Sequence, residues 1–464
     1  MPAFPPSTDA EQSPAPDTIL YGGTIHCLDA GLRQVSALAI GSGTITALGT
    51  DEEILALAGP GSRRIDLSGQ CVLPGINDSH LHGVWLGARW PALMLESPGE
   101  DWHGRLLSGP EDRRRAILAC FRLLASLGIT SYTEPGIGPG EDAGETGCFG
   151  SDVLAAYAAL AGTPAQTARV TLLSLHGLLD GASTLPAFEA GLSLPKPAAD
   201  PRWLSIPGVK IFADGIPPLR TAWVEKPYLD GSVGTLFTGE GDLSERAATY
   251  ERMIRLGHAA GEQVAVHATG DRTVEMLLST VEALGGAGRL RHYAIHGDLV
   301  TPEQLARMAK AGVGLTVQPV IAAMTGEWMA GALRPEQIAR AFPIDRIFGT
   351  TGLRATLSSD APVATPDWRR IVATAAGQLD GRGLPVGRAE LSALLRMMTA
   401  IPAEQDGAEA WKGTLEVAKV ADLCVLSQDP LEAGWQRLPE IAVERTMVDG
   451  RFVYDRTAAT GEAP

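Results

Sequence analysis

Apolar positions recur along the chain with two different periods, and the switch between them divides it into regions. Near the start come the short runs Ile19-Leu20-Tyr21, Thr24-Ile25-His26, Ala37-Leu38-Ala39-Ile40 and Thr44-Ile45-Thr46-Ala47-Leu48, broken by Gly-Gly or Gly-Ser-Gly. Short β-rich runs between glycine turns predict a small antiparallel sheet or sandwich. The pattern returns at 412–426 and 443–454, so the two chain ends are expected to close on each other. Between them strand and helix alternate. Ile117, Cys120, Leu123, Leu124 and Leu127 recur at three and four, giving one apolar face to a helix over 111–127 that stops at Gly128. Thr301-Pro302-Glu303-Gln304 combines a capping residue, Pro at the first helical position and Gln three residues on, a helix start. Strand-like runs end near His82, Thr133, His176, Asp214, His267, His296, Gln318 and Asp360.

Eight strands alternating with helices predict an α/β chain with a (β/α)8 barrel, a TIM barrel, over 73–401. A β-sandwich domain is expected from 18–72 together with 402–456, with a disordered tail over 1–17 and a C-terminal tail over 457–464.

The chemistry starts at Leu73-Pro74-Gly75-Ile76-Asn77-Asp78-Ser79-His80-Leu81-His82. Residues two apart in an extended backbone project from one face, so His80 and His82 form a chelating pair. Asp78, just before them, is placed to orient an imidazole without touching the metal. In a barrel of this kind chemistry sits at the C-terminal strand ends. Lys210, His267, His296 and Asp360 all fall there. His176 is equally well placed by position and is left outside the ligand set, while His103 and His258 are taken as surface residues.

His-x-His, Lys, His, His and Asp on strands one, four, five, six and eight resemble the binuclear amidohydrolases. Closer matches are Val209-Lys210-Ile211-Phe212-Ala213-Asp214-Gly215, His267-Ala268-Thr269-Gly270-Asp271, Gln318-Pro319 and Ser359-Asp360-Ala361-Pro362-Val363. With them the chain looks like the YtcJ-like branch of the amidohydrolase-3 family, which includes N-substituted formamide deformylase. The resemblance implies two divalent ions per chain, most simply Zn, held by His80, His82, Lys210, His267, His296 and Asp360. Lys210 would bridge them after carboxylation by carbon dioxide, because an ammonium has no lone pair for a metal. It also implies hydrolysis of an amide or related C–N bond of a small molecule by metal-activated hydroxide, with Asp360 as general base. An ester or lactone hydrolase, a one-metal deaminase, or a non-catalytic regulatory relative are the alternatives. Asp214, Thr221 and Tyr228 in the loop after strand four, and Gln318 at the end of strand seven, are candidate substrate contacts. Trp85, Trp90, Met94 and Trp223 are candidates for an apolar wall. The chain departs from the family pattern where Ile295 precedes His296 and Asp298 follows it at two, and where Val320-Ile321-Ala322 replaces a histidine after Gln-Pro.

Charge and cysteines narrow the partners. Against 38 basic residues stand 54 acidic ones, a net charge of -16, which repels a phosphate backbone and an anionic membrane surface alike. The expected partner is a small molecule, neutral or cationic, with no nucleic acid and no membrane; self-association into a homo-oligomer is left open. Five scattered cysteines without a Cys-x-x-Cys spacing fit a reducing, cytoplasmic compartment. No basic region followed by an apolar run marks a signal peptide at the start.

Overall fold

The computed structural model describes residues 15–179 and 181–459. Its centre is an eight-stranded parallel sheet: β1 (Ile76–Asp78), β2 (Ile129–Ile137), β3 (Arg169–Leu175), β4 (Leu204–Phe212), β5 (Gln263–Ala268), β6 (Tyr293–His296), β7 (Gly314–Val317) and β8 (Ala355–Leu357). Each strand pairs with its neighbour in sequence, from β1 to β8. The seam between β1 and β8 is bridged just past the strand ends, where the Asp360 amide donates to the His80 carbonyl (2.8 Å) and the His82 amide to the Ala361 carbonyl (2.8 Å). The sheet is thus a nearly closed barrel with helices between its strands.

Those helices follow from the apolar periods. Pro110–Ser126 buries Ala116, Ile117, Cys120, Phe121 and Leu124 on one face and carries Arg114, Arg115 and Arg122 toward solvent. Pro302–Ala311 begins with the expected reciprocal cap: the Gln304 amide donates to Thr301 Oγ1 (3.2 Å), and the Thr301 amide to Gln304 Oε1 (3.0 Å).

Alternation along the strands decides which side chains enter the barrel. Val209, Ile211, Val264, Val266, Leu315 and Leu357 pack outward in the large core shared with the helices. Leu173, Ala265, Tyr293 and Ile295 form a separate cluster inside. By the same parity Lys210, His267 and Gln318 point inward, and His176, one residue past inward-facing Leu175, points out. His176 indeed packs against Phe188 of the helix Leu185–Leu192 (ring centroids 5.9 Å).

The chain ends build two further sheets. Four strands run in the order Thr44–Gly49, Ala37–Gly41, Thr18–Tyr21, Arg63–Asp66. Six run Arg451–Asp455, Val443–Val448, Leu423–Leu426, Cys71–Pro74, Thr24–His26, Gln34–Val35. Leu20, Leu38, Ile40, Val72, Leu423 and Val425 share one core between them. Pro74 pairs with Leu423 and Cys71 with Leu426, so the strand leading into the barrel lies beside one from the far end of the chain. Within 412–426, strand forms only from Leu423 onward; the earlier part turns, and its Lys412 pairs with Asp406 (2.7 Å) under the barrel.

The barrel is tied to these sheets by charge as well. Arg169, at the start of β3, donates to both oxygens of Asp422 (2.7 and 3.0 Å) and to Asp449 (3.1 Å), with its guanidinium over the Trp203 and Trp411 rings. A buried guanidinium that kept only one of these partners would lose several kcal/mol, by the usual cost of about 3–5 kcal/mol for breaking a buried pair. Of the tail expected over 1–17, residues 1–14 lie outside the described residues. So do 460–464 at the other end, where Arg456–Ala459 forms a single helical turn.

Candidate metal centre

At the C-terminal mouth of the barrel three ligand atoms meet. Asp360 Oδ1 lies 3.2 Å from His80 Nε2 and 3.4 Å from His82 Nε2. All three residues are buried. The His296 ring stands 5.5 Å from His80 and 4.4 Å from His267, centroid to centroid. Lys210 is buried on β4 opposite Ala265 of β5, and its charge acts on His80, His267 and His296 together. The six residues singled out in the sequence therefore converge at one mouth.

Local backbone explains how. The turn after β1 carries His80 and His82, and Asp78 Oδ1 holds it by accepting the amides of His80 and Ser359 (both 3.2 Å). Asp78 thus joins the two ligand-bearing turns through their backbones, where the sequence had placed it against an imidazole. Burial, with Asp360 nearby, pushes its carboxyl up to about 7 against those hydrogen bonds. His296 follows inward-facing Ile295, so alternation would send it outward. Its φ of +77° breaks the alternation and brings the ring to the mouth, and Asp360 sits at +57°. Side chains rarely adopt that region, at a cost of order 1–3 kcal/mol each, and such strain gathers where geometry serves a site.

His296 and His267 each have one nitrogen committed to a protein partner. His296 Nδ1–H donates to Gln318 Oε1 (2.7 Å), and Gln318 is braced in turn by its Nε2 on Ser358 Oγ (2.9 Å). His267 Nε2–H donates to the Gly215 carbonyl (3.2 Å). That leaves His296 Nε2 and His267 Nδ1 for a ligand, the tautomer control found around metal-binding imidazoles. Burial above all, then the Lys210 charge, pushes His80 down to about 3 and His296 to about 4. Burial and then His296 hold His267 well below its ordinary range. These imidazoles are neutral at neutral pH, the form a metal needs. Burial opposes charge on Asp360, yet His80 first, then His82 and His296, outweigh it and keep this carboxyl well below the usual range.

The donors fit a divalent ion. Among the described residues His80 Nδ1 and His82 Nδ1 are buried without hydrogen-bond partners, and the three N/O atoms of His80, His82 and Asp360 lie within 4.8 Å of one another, close enough to share one ion. Imidazole and carboxylate donors suit Zn²⁺ and its neighbours in the first transition row. A second group, His26, Cys71 and Asp429, also lies within ligand distance. It is satisfied without an ion: His26 pairs with Asp429 (2.9 Å), Asp429 caps the Leu431 amide (2.9 Å), and burial raises the Cys71 thiol.

Glu134 escaped the sequence reading, which ended strand two at Thr133. It is fully buried on β2; Oε2 accepts from the Gly83 amide (2.8 Å) and the Tyr157 hydroxyl (2.7 Å). Among the described residues Oε1 has no hydrogen-bond partner, and it faces His82 Nδ1, likewise without one, at 3.8 Å. A glutamate inside a run of buried strand residues was the available signal. In Glu134→Gln the amide N–H would face Nδ1 and drive the ring proton to Nε2, the ligand atom. Metal affinity is expected to fall roughly 10- to 100-fold, read by competition with a chromophoric chelator; an unchanged affinity would remove this role.

The candidate substrate contacts are used within the protein. Both oxygens of Asp214 are taken, by the amides of Thr269 (3.0 Å), Gly270 (2.9 Å) and Trp223 (3.2 Å) and the Thr273 hydroxyl (2.6 Å). Thr221 Oγ1 accepts the Ile216 amide (2.9 Å), and the Tyr228 hydroxyl donates to the Ala222 carbonyl (2.8 Å). These three brace the loop after β4, and Gln318 orients His296. Of the aromatic candidates Trp85 packs edge-on against His82 (6.1 Å), Trp223 packs beneath Arg272, and Trp90 and Met94 are exposed. His103 is exposed as expected, but His258 is half-buried and bonded to His292 (2.9 Å).

Asp298, two residues past His296, lies at the edge of this centre. With Gln318, Ala322, Phe342, Ile344 and Ile347 it lines a narrow cleft of about 310 Å³, counting the part open to solvent, and His296 forms one wall.

Known proteins resemble the chain over lengths from about half of it to nearly all of it. Putative amidohydrolase YtcJ of Bacillus subtilis is 24% identical over 95% of this chain and 99% of its own. N-substituted formamide deformylase of Arthrobacter pascens is 29% identical over 54% of this chain and 46% of its own. The structure of an uncharacterized metal-dependent hydrolase from Pyrococcus furiosus superposes with a TM-score of 0.71, at 20% identity, over 89% of this chain and 99% of that one. The model of the amidohydrolase family matches residues 94–454, which takes in Lys210, His267, His296 and Asp360, and the chain belongs to that family.

Proposed function

We propose that the protein is a metal-dependent hydrolase that cleaves an amide or related C–N bond of a small molecule. The observation that carries this reading is the meeting of His80 Nε2, His82 Nε2 and Asp360 Oδ1 at a barrel mouth also lined by Lys210, His267 and His296. These six residues would hold the metal, two Zn ions in our reading, with Lys210 carboxylated. When bound, the ions supply Lewis acidity for a carbonyl oxygen and lower the pKa of water from about 15.7 to about 7.

The chain's own residues supply the rest. Asp360 is held ionised, so it accepts a proton from the attacking water and returns it to the departing nitrogen. Gln318 and the Gly215 carbonyl fix which nitrogen of His296 and His267 faces the centre. Trp85 and Phe149 stand edge-on to His82 and shield that side from water. The C–N reading draws support from the formamide deformylase relative; an ester would meet the same groups.

Among the described residues no helix is long and apolar enough to cross a membrane. All five cysteines are free thiols and buried, which supports our placing of the protein in a reducing, cytoplasmic compartment.

The test is a screen of N-formyl and N-acyl amines, with matched esters, before and after dialysis against a chelator. Activity is expected to vanish on metal removal and return with Zn²⁺, with the N-formyl or N-acyl amines turned over faster than their esters. Deamination with one ion per chain would move the assignment to the deaminases, and a chain without metal or turnover would move it to a binding role.

A further inference from the structure

Outward-facing positions of the barrel strands carry large apolar side chains that fill the layer beneath the helices, Val170 and Leu172 on β3 and Val209 and Ile211 on β4 among them. β3 breaks that series toward its end. Its next outward positions are Ser174 and, just past the strand, His176. Gly191 of the helix Leu185–Leu192 lies against the His176 ring, where a Cβ would stand 2.1 Å from the ring's Cγ. A serine and a glycine fill less of the layer than leucine or valine would. The result is a cavity of about 290 Å³ on the flank of the barrel, lined by that helix, by the helix Ser151–Leu160 and by Leu194 and Pro195.

The polar groups of the wall say what fits. His176 is 7% exposed, and among the described residues neither of its ring nitrogens makes a hydrogen bond; Nδ1 is buried outright. Ser174 Oγ makes none either. Buried polar groups are as a rule hydrogen-bonded, so these two lack a partner that the chain does not supply. Burial above all, then the Lys196 charge, pushes His176 down to about 4, so at neutral pH the ring offers one N–H and one lone pair. The charged lining residues, Lys196 and Glu262, are paired with each other (2.6 Å) and add no net charge. Ile137, Leu154, Leu192, Ile206 and Val209 make the rest of the wall hydrocarbon. An ionic ligand would lose water there and find no free counter-charge. The complement is a neutral molecule, apolar over most of its surface, with one group that both donates and accepts.

We infer that this cavity is a second binding site, separate from the metal centre, for a neutral small molecule whose single hydroxyl bonds to His176 and Ser174 while its hydrocarbon ring or short chain lies against Leu154, Leu192 and Val209. Leu175 pairs with Lys210 in the β3–β4 register and both face inward, so the strand wall stands between this cavity and the metal centre. The volume lies at the lower end of small-molecule pockets, enough for one substituted ring. The site goes beyond the hydrolase reading and does not depend on it.

The probes are para-fluorophenol and fluorobenzene, which differ by the hydroxyl, titrated into the full-length, metal-loaded protein and followed by fluorine NMR. Para-fluorophenol is expected to bind with a Kd of about 1 mM or tighter, an ordinary affinity for so small a molecule. It should bind at least about 5-fold more tightly than fluorobenzene, the scale of one or two neutral hydrogen bonds. In His176→Leu, which keeps the bulk and removes both nitrogens, that preference should fall below about 2-fold while fluorobenzene binds as before. Ser174→Leu puts an apolar side chain back at the outward position, so it should fill the cavity and weaken both probes together. Metal content should be unchanged in both variants, since neither residue faces the mouth.

Equal binding of the two probes, a preference that survives His176→Leu, or binding untouched by Ser174→Leu overturns the inference. So does the absence of binding up to about 10 mM, which would leave the cavity to water alone. Loss of para-fluorophenol binding on chelation, with the fold intact by circular dichroism, would put the probe at the metal centre and overturns it as well. Should His176→Leu fail to fold, the response to Ser174→Leu decides. A protein that binds the phenol as expected yet hydrolyses no amide refutes the proposed function and leaves this site standing.

Discussion

Lys210→Ala is expected to reduce hydrolysis to background and to strip most of the metal from the protein. The side chain is buried on β4 and faces the same mouth as His80, His267 and His296, whose imidazoles are kept neutral partly by its charge. As an ammonium it repels a cation; as a carbamate it offers two anionic oxygens. Conversion needs only carbon dioxide: the neutral Nζ forms the N–C bond and its proton leaves to water. On the proposed role, removing the amine removes a ligand, so the loss should exceed the roughly 10- to 100-fold effect of removing a residue that merely orients one. If Lys210 carries the proposed carbamate, short carboxylic acids should restore part of the activity, since alanine leaves room for a free carboxylate in its place. Elemental analysis decides the point: two ions per chain in Lys210→Ala would end the bridging role.

Asp360→Asn separates holding a metal from moving a proton. An amide oxygen still ligates, so metal content should stay near that of the unaltered protein. The amide accepts no proton at working pH, so kcat should fall at least roughly 10²-fold, the scale of a positioned acid–base group. Folding is not the obstacle, because asparagine tolerates the left-handed backbone at this position, φ +57°, as well as aspartate does. Full activity in this variant, with metal retained, would leave Asp360 a ligand and nothing more.

Much of this centre was legible in the sequence because barrel strands alternate strictly. Once Lys210 and His267 sit between outward-facing valines and isoleucines, their inward direction follows, and the same count sends His176 out. His296 breaks the count: its placement depends on a positive φ that neither its type nor its neighbours announce. Glu134 was lost to a strand boundary one residue short, on a strand that runs to Ile137. Asp214, Thr221 and Tyr228 are candidate substrate contacts by their place beside a mouth, and each could equally fix its own loop. Whether such groups face the opening or their own backbone is set by loop geometry, which hydrophobic pattern does not encode. The barrel itself was visible as eight strands between helices, whereas the order of strands in the terminal sheets emerged only from the pairing of Cys71–Pro74 with Leu423–Leu426.

That last pairing has a consequence for how the protein is made. The partners are roughly 350 residues apart, so at about 5–20 residues per second a ribosome needs roughly 20–70 s to deliver the second strand after the first. Throughout that interval the strand leading to His80 and His82 emerges with one edge bare, a template for pairing with another nascent chain. Yield in a heterologous host should therefore respond to chaperone supply and growth temperature more than to any change at the mouth.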